Sequence, residues 1–92
     1  MSQLDRKALA VRQTLQAAGV PILRPECHFS DASLFEISGE GDMPLKYTND
    51  GKWYYADYYE MYWGTDDLNK LLQDNDLMFE WINPAVMGVY HA

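Results

Sequence analysis

The sequence predicts a single α+β domain spanning residues 1–92, with an N-terminal helix, an antiparallel β-meander of about four strands and a second short helix. Three observations predict this fold. Apolar residues recur at helical spacing near the N-terminus, segments with strand-type alternation follow between turn residues, and a leucine-rich helical segment precedes two closing strands. The 48% content of hydrophobic residues is sufficient for a folded core.

The first helix is predicted in the segment SQLDRKALAVRQTLQAAG. Its apolar residues are separated by four, three, four and three positions and so share one face: Leu4, Ala8, Val11, Leu15 and Ala18. Ser2 is suited to cap the start of the helix, and Gly19 is suited to the left-handed position after its end. Arg6, Lys7 and Arg12 lie off the apolar stripe, so we expect them to face solvent.

The strands are predicted in short segments after a proline-containing connector. SLFEIS alternates, with Leu34 and Glu36 on one face and Phe35 and Ile37 on the other. MPLKYT follows as a second strand, and NDGK supplies a hairpin turn because Gly51 tolerates a positive φ. LMFEWI and AVMGVYH, joined by an Asn-Pro turn, close the chain as two short strands.

The stretch GKWYYADYYEMYWGTDD, residues 51–67, combines aromatic rings with acids. It holds five of the seven tyrosines, two of the three tryptophans and four acidic residues. Its tyrosines have helical spacing, yet tyrosine and tryptophan favour strands. We expect extended chain from Lys52 to about Ala56, followed by a bulged continuation or a helical turn. Trp53 and Trp63 are expected mostly inside, with several tyrosine hydroxyls outside.

The second helix is predicted in GTDDLNKLLQDND. Thr65 is suited to cap it, and Asp66 and Asp67 lie at its positive N-terminal end. Asp66 and Lys70 have the spacing of an i,i+4 ion pair. Three leucines are expected to face the core: Leu68, Leu71 and Leu72.

Charge is distributed unevenly along the chain. The formal net charge is −7, but residues 1–25 carry four bases against one acid and residues 26–92 carry three bases against 13 acids. An acidic surface repels phosphates and favours a basic partner. Acidity that only keeps a small domain soluble is the alternative interpretation.

Catalytic and metal sites find little support in the sequence. Cys27 and His28 are neighbours whose side chains point apart in extended chain, and His91 is the penultimate residue. The chain lacks paired zinc-type spacings. Asp57 and Glu60 form a carboxylate pair that would suit acid–base chemistry only in a cleft. We therefore expect no enzyme activity, no cofactor and no metal, with a small acid–base enzyme as a remaining alternative.

Location follows from equally simple features. The N-terminus is too polar for a secretory signal, no apolar run is long enough to span a membrane, and the single cysteine allows no internal disulfide. We expect a cytoplasmic protein that engages neither a membrane nor a small-molecule substrate.

Tyrosines and tryptophans beside acids are typical of a protein-recognition surface, because aromatic rings bury large rigid areas and acids steer basic partners. Over its full length, from SQLDRKALAVRQTLQAAGVPILRPECHF through YYADYYEMYWGTDDLNKLL to NPAVMGVYHA, the chain resembles the small phage-encoded anti-CRISPR proteins, the type I-F inhibitors in particular. That family has no signature motif.

The resemblance implies a non-enzymatic inhibitor, in the cytoplasm of an infected bacterium, that binds a crRNA-loaded type I surveillance complex and blocks target DNA binding or pairing with the guide. The alternative is an acidic immunity-type antidote to a basic nuclease toxin. The expected partner is a basic protein surface, with contact to the crRNA backbone through the N-terminal helix. The predicted partner-binding residues are Asp57, Tyr58, Tyr59, Glu60, Asp66, Asp67, Arg6, Lys7 and Arg12.

Overall fold

A computed structural model describes residues 3–23, 33–39 and 51–92 and shows an α+β fold with two helices and a three-stranded antiparallel sheet. Neither of the two helices has the length and apolar character needed to cross a membrane. The elements in chain order are α1 (Gln3–Ala17), β1 (Phe35–Ser38), α2 (Asp66–Gln73), β2 (Leu77–Asn83) and β3 (Val86–His91).

The C-terminal strand β3 lies at the centre of the sheet. The strand order is β1-β3-β2, and β3 pairs Val89 with both Phe35 and Phe79. Its residues 86–89 are all buried, which agrees with their nearly unbroken apolar sequence. The described strands therefore differ from the expected meander, because the first strand pairs with the last one.

Two of the expected strand segments have other outcomes. MPLKYT lies outside the described residues. The chain at 52–56 belongs to no strand, although Gly51 has the positive φ expected for the preceding turn. Four strands are thus not found in the part of the chain that the structure describes.

The outer edge of β1 is covered by the segment that follows α1. Ile22 forms an isolated bridge with Ile37, the Leu23 N–H donates to the Glu36 carbonyl at 2.8 Å, and the Ser38 N–H donates to the Pro21 carbonyl at 2.9 Å. This short pairing satisfies backbone groups that an exposed edge would leave to solvent.

Helix α1 packs through the predicted stripe. Ala8, Val11 and Leu15 are buried, whereas the Leu4 side chain lies outside the described part. The helix ends in a Schellman motif: the Val20 N–H donates to the Leu15 carbonyl and the Gly19 N–H to the Gln16 carbonyl, both at 3.0 Å. Gly19 has a φ of 89°, which confirms the prediction from its sequence position.

The core lies between α1, α2, one face of the sheet and the segment around Tyr54. Its apolar side chains interdigitate across these elements, and their burial is the main favourable term in folding. The buried members are Ala8, Val11, Leu15, Val20, Phe35, Ile37, Tyr54, Ala56, Leu68, Leu72, Leu77, Met87 and Val89.

Strand β1 is buried on both faces. Phe35 and Ile37 share one face, as predicted, and this face lies in the core, but Glu36 on the opposite face is also completely buried. Its carboxylate accepts a hydrogen bond from the Ser33 hydroxyl at 2.8 Å. A buried charge requires such partners, since burial removes it from water. Alternation alone predicted the faces of this strand correctly but not its double burial.

Helix α2 begins as predicted and makes a different ion pair. Thr65 caps it by accepting a hydrogen bond from the Leu68 N–H at 3.1 Å, while Leu68 and Leu72 are buried. Lys70 pairs with Asp74 at 3.6 Å instead of with the expected Asp66. The pair at the C-terminal end is exposed and therefore contributes little to stability.

The first turn of α2 also holds the segment that contains Trp53. The Thr65 hydroxyl donates to the Trp53 carbonyl, and the Trp53 N–H donates to the Asp67 carboxylate at 2.9 Å. The side chains of Thr65 and Asp67 thus supply hydrogen-bond partners to the backbone of this residue.

We expect Thr65→Ala to lower the free energy of unfolding by about 2 kcal/mol, because it removes both a helix cap and the hydroxyl that donates to the Trp53 carbonyl. Thr65→Ser, which keeps the hydroxyl, should lose less than about half of that. Urea denaturation measures both. Thr14→Ala is the matched control: the exposed Thr14 hydroxyl donates only to the Ala10 carbonyl within α1, so the change should be about 0.5 kcal/mol or less. Equal losses for Thr65→Ala and Thr14→Ala would contradict this role of Thr65.

Candidate functional site

Residues 57–64, here called the aromatic loop, form a tight hairpin-like turn. Asp57 and Met61 exchange two backbone hydrogen bonds, of 3.2 and 2.8 Å. One oxygen of the Asp57 carboxylate accepts from the N–H groups of Tyr59 and Glu60, at 2.8 and 3.0 Å. The Met61 N–H to Asp57 carbonyl bond has the i,i+4 spacing of a single helical turn, one of the two expected forms, and the aspartate side chain satisfies further backbone donors of this turn.

The C-terminal part of the aromatic loop is hydrogen-bonded to β2 and α2. The Trp81 indole N–H donates to the Tyr62 carbonyl at 2.9 Å, and the Asn69 amide donates to the Trp63 carbonyl at 2.6 Å. Gly64 then adopts a φ of 72°, and a Cβ atom there would lie 3.2 Å from Leu68. These contacts fix the loop backbone against both β2 and α2, so the side chains it carries are presented from a defined position.

The rings of the aromatic loop join those of β2 in one connected cluster. Tyr58 makes edge contacts with Tyr59, Tyr62 and Trp81, at centroid distances between 5.2 and 5.7 Å. Tyr62 makes a further edge contact with Trp63 at 4.9 Å. Such geometries are the favourable ones for aromatic pairs. We call Tyr58, Tyr59, Tyr62, Trp63, Phe79 and Trp81 the aromatic cluster.

Much of the aromatic cluster faces solvent. Tyr59 is 79% exposed and Trp63 is 78% exposed, while Tyr58 and Tyr62 also rank among the exposed large side chains. The expectation that the tryptophans lie mostly inside is therefore wrong for Trp63. Trp63 lies on the aromatic loop just before Gly64, outside the helices and strands.

A groove of about 480 Å³ lies beside the aromatic cluster, between α2, β2 and the aromatic loop. Trp63 and Phe79 contribute aromatic walls, Leu72 contributes an apolar floor, and Glu80 places a carboxylate at its margin. A largely apolar cleft with few polar groups is the usual form of a binding site.

The four predicted acids divide into two pairs. Asp57 and Asp67 accept backbone hydrogen bonds that organise the loop and the Trp53 segment, so they have structural roles. Glu60 and Asp66 are exposed and are therefore accessible to a partner. In the described ranges no three His, Cys, Asp or Glu side chains are grouped as metal ligands.

Sequence reasoning did not single out the contributions of β2 and α2 to this site. Trp81, Glu80 and Asn69 each support or border the aromatic cluster. The signal was present in part, because Phe79 and Trp81 alternate in LMFEWI and therefore share a face. The alternation does not show that the face with Phe79 and Trp81 is only partly covered by other elements.

The predicted basic residues have unequal environments. Arg6 is exposed as expected, but Lys7 forms an ion pair with Asp76 at 2.7 Å and so connects α1 to the start of β2. Arg12 departs from the expected solvent-facing position, because its Nε is buried without a hydrogen-bond partner among the described residues. No hydrogen bond or ion pair joins these three bases to the aromatic loop in the described ranges.

Tyr55, next to the aromatic loop, has a raised pKa. Burial raises the pKa of its phenol, and the negative charges of Asp57 and Glu60 raise it further. A hydrogen bond with the Asp57 side chain adds to the effect. The neutral phenol is therefore favoured in the folded protein.

We expect the stability of the protein to fall as the pH rises above 10, with Tyr55 contributing to the loss. The phenol ionises first in the unfolded chain, so its stabilising contribution is complete below the unfolded pKa and disappears as the pH passes through the higher folded pKa. Urea denaturation at several pH values should show a shallower alkaline decline for Tyr55→Phe. Tyr59→Phe, at an exposed position, should keep the wild-type decline, and identical profiles for wild type and Tyr55→Phe would contradict the assignment.

Comparison of the chain with known protein families, curated proteins and solved structures found no match.

Proposed function

We propose that the protein is a non-enzymatic inhibitor that binds a basic protein surface through the aromatic cluster, and that its target is a crRNA-loaded type I CRISPR–Cas surveillance complex. The observation that carries the proposal is the exposure of Tyr59 and Trp63 on a loop whose backbone is fixed at both ends. Exposed, clustered aromatic side chains are uncommon on surfaces that contact only water.

The fixed loop supports a binding role on energetic grounds. Tyrosine and tryptophan dominate interface hot spots, and they lose little rotamer freedom on binding. The loop backbone is already held by Asp57, Trp81 and Asn69, so association does not require ordering it. A preorganised surface retains more of its contact energy as affinity.

The charge of the surroundings supports a basic target. Glu60, Asp66 and Glu80 are exposed near the aromatic cluster, and the whole chain carries a net charge of −7. Acids at the rim of an interface increase the association rate with a positively charged surface. Guided nucleases hold their duplex in such a positively charged channel, which an acidic protein would block.

The basic N-terminal helix supplies a second proposed contact. Arg6 is exposed and Arg12 keeps a partly accessible side chain, so these two suit the phosphate backbone of the crRNA. Lys7 is engaged with Asp76 and would have to exchange that partner to take part.

The first experiment is a mobility-shift assay with crRNA-loaded type I-F complex and labelled target DNA. We expect preincubation with excess protein to abolish the DNA shift, because the DNA path is occluded. DNA binding that remains undiminished at saturating protein would refute occlusion. Tight binding to a basic nuclease toxin, with the complex unaffected, would support the antidote alternative instead.

A second prediction concerns the surface used. The double variant Tyr59→Ala, Trp63→Ala should weaken binding to the complex by tenfold or more, roughly the effect of losing a hot spot, and should leave urea stability nearly unchanged. Leu9→Ala is the matched control, since Leu9 is an exposed apolar residue on α1. Titration by surface plasmon resonance measures both. Equal affinities for the double variant and the control would exclude the aromatic cluster from the interface.

Neutralising the accessible acids should act mainly on the association rate. We expect Glu60→Gln with Asp66→Asn to slow association by a few-fold and to reduce its dependence on salt, with a smaller effect on dissociation. Asp57 and Asp67 are left intact in this variant because they hold the backbone. An unchanged association rate would remove these two acids from the mechanism.

A further inference from the structure

Two hydrogen-bond donors beside the groove are already used within the domain. The Asn69 side-chain amide donates to two backbone carbonyls, that of Trp63 at 2.6 Å and that of Thr65 at 3.0 Å. These two bonds occupy both of its amide hydrogens. The Trp81 indole N–H donates to the Tyr62 carbonyl at 2.9 Å. A ligand in the groove therefore cannot be recognised by these donors.

Hydrogen-bond acceptors remain at the same place. The side-chain oxygen of Asn69 receives no hydrogen bond from a described residue, although its amide nitrogen is fully engaged. Glu80 lies at the margin of the groove, is exposed, and forms no ion pair within the described ranges. The described residues that line the groove include no lysine, arginine or histidine. This combination of a negative charge and free lone pairs favours a ligand that is cationic and rich in donors.

An aromatic wall borders these acceptors. Trp63 lines the groove and is 78% exposed, and a side chain exposed to this extent cannot have both faces of its ring covered. Tyr62 also lines the groove and contacts the Trp63 ring edge to face, with 4.9 Å between centroids. The faces of indole and phenol rings attract cations, because their quadrupoles are negative there. The wall and the acceptors thus favour the same class of ligand.

A guanidinium group matches this environment better than an ammonium group. It is planar, so it can stack on an indole face while its edge presents five N–H donors in a fixed fork. It carries no acceptor atom that would oppose Glu80. Its weaker hydration lowers the cost of entering a partly apolar groove. The groove volume of about 480 Å³ is in the range of small-ligand sites and accommodates one such side chain.

We propose that the groove binds an arginine side chain of the partner protein. The guanidinium stacks on Trp63 and donates to the Glu80 carboxylate and to the side-chain oxygen of Asn69, while its methylene stem packs against the apolar wall at Phe79. This inference rests on the proposed function only for placing the arginine on a protein. Arginine is enriched among interface hot spots, so one such contact at the aromatic cluster can select the partner.

The test uses the full-length protein and a capped tripeptide, acetyl-glycyl-arginyl-glycine amide. We expect weak, saturable binding that shifts the Trp63 indole N–H and the Asn69 side-chain N–H signals in the ¹⁵N–¹H NMR spectrum. The citrulline analogue keeps the planar shape without the charge, and the lysine analogue keeps the charge without the plane. Each should bind at least about fivefold more weakly. Equal affinities for the arginine and lysine peptides would reduce the effect to general charge attraction and would overturn the proposal.

Two carboxylate variants locate the site. Glu80→Gln removes the charge at the groove and should weaken binding of the arginine peptide by about fivefold or more. Glu60→Gln is the matched control, because it removes the same charge from the aromatic loop outside the groove lining and should change affinity by less than about twofold. Both positions are exposed, so urea denaturation should give nearly wild-type stability for each variant. Equal weakening by the two variants would contradict binding in the groove.

The outcomes also separate this inference from the proposed function. Selective binding of the arginine peptide in the groove, with no effect on the surveillance complex, would reject the target and leave the arginine site standing. Inhibition of the complex without selectivity for the arginine peptide over its citrulline analogue would support the target and reject the arginine site. Dimers of the free protein that Trp63→Ala abolishes would assign the groove to a second copy of the chain and would also overturn the inference.

Discussion

The fold of the acidic half depends on how Trp53 is held. Its carbonyl and its N–H are both satisfied by side chains from the first turn of α2, those of Thr65 and Asp67. Because Thr65 also caps α2, one hydroxyl links the helix start to the segment that leads into the aromatic loop. Backbone groups inside a protein must find partners, and here the start of a helix provides two of them.

Beyond Trp53, both α2 and β2 contact the aromatic loop. Asn69 and Leu68 on α2 meet the end of the aromatic loop at Trp63 and Gly64, and Trp81 on β2 meets its middle. The loop is therefore a bridge between the helix and the edge strand. This arrangement explains why large rings can remain in solvent without the backbone beneath them collapsing onto the core.

Local features of the fold were predictable from the sequence, and long-range ones were not. The spacing of Val11 and Leu15, the position of Gly19 and the cap at Thr65 each depend on a few neighbouring residues, and each was confirmed. The central position of β3 depends on which distant segments pair with each other. The alternation of apolar and polar residues does not specify that strand order. The exposure of Trp63 and the backbone role of Asp57 depend on the geometry of one loop, and composition could not supply that.

The construction of the aromatic loop also bears on how its surface can change over evolution. Its turn is held by the Asp57 carboxylate and by main-chain groups, and it uses none of the side chains at 59, 60 and 63. Substitutions at those three positions leave the supporting bonds in place. A lineage can therefore change the exposed side chains of the loop while keeping its shape.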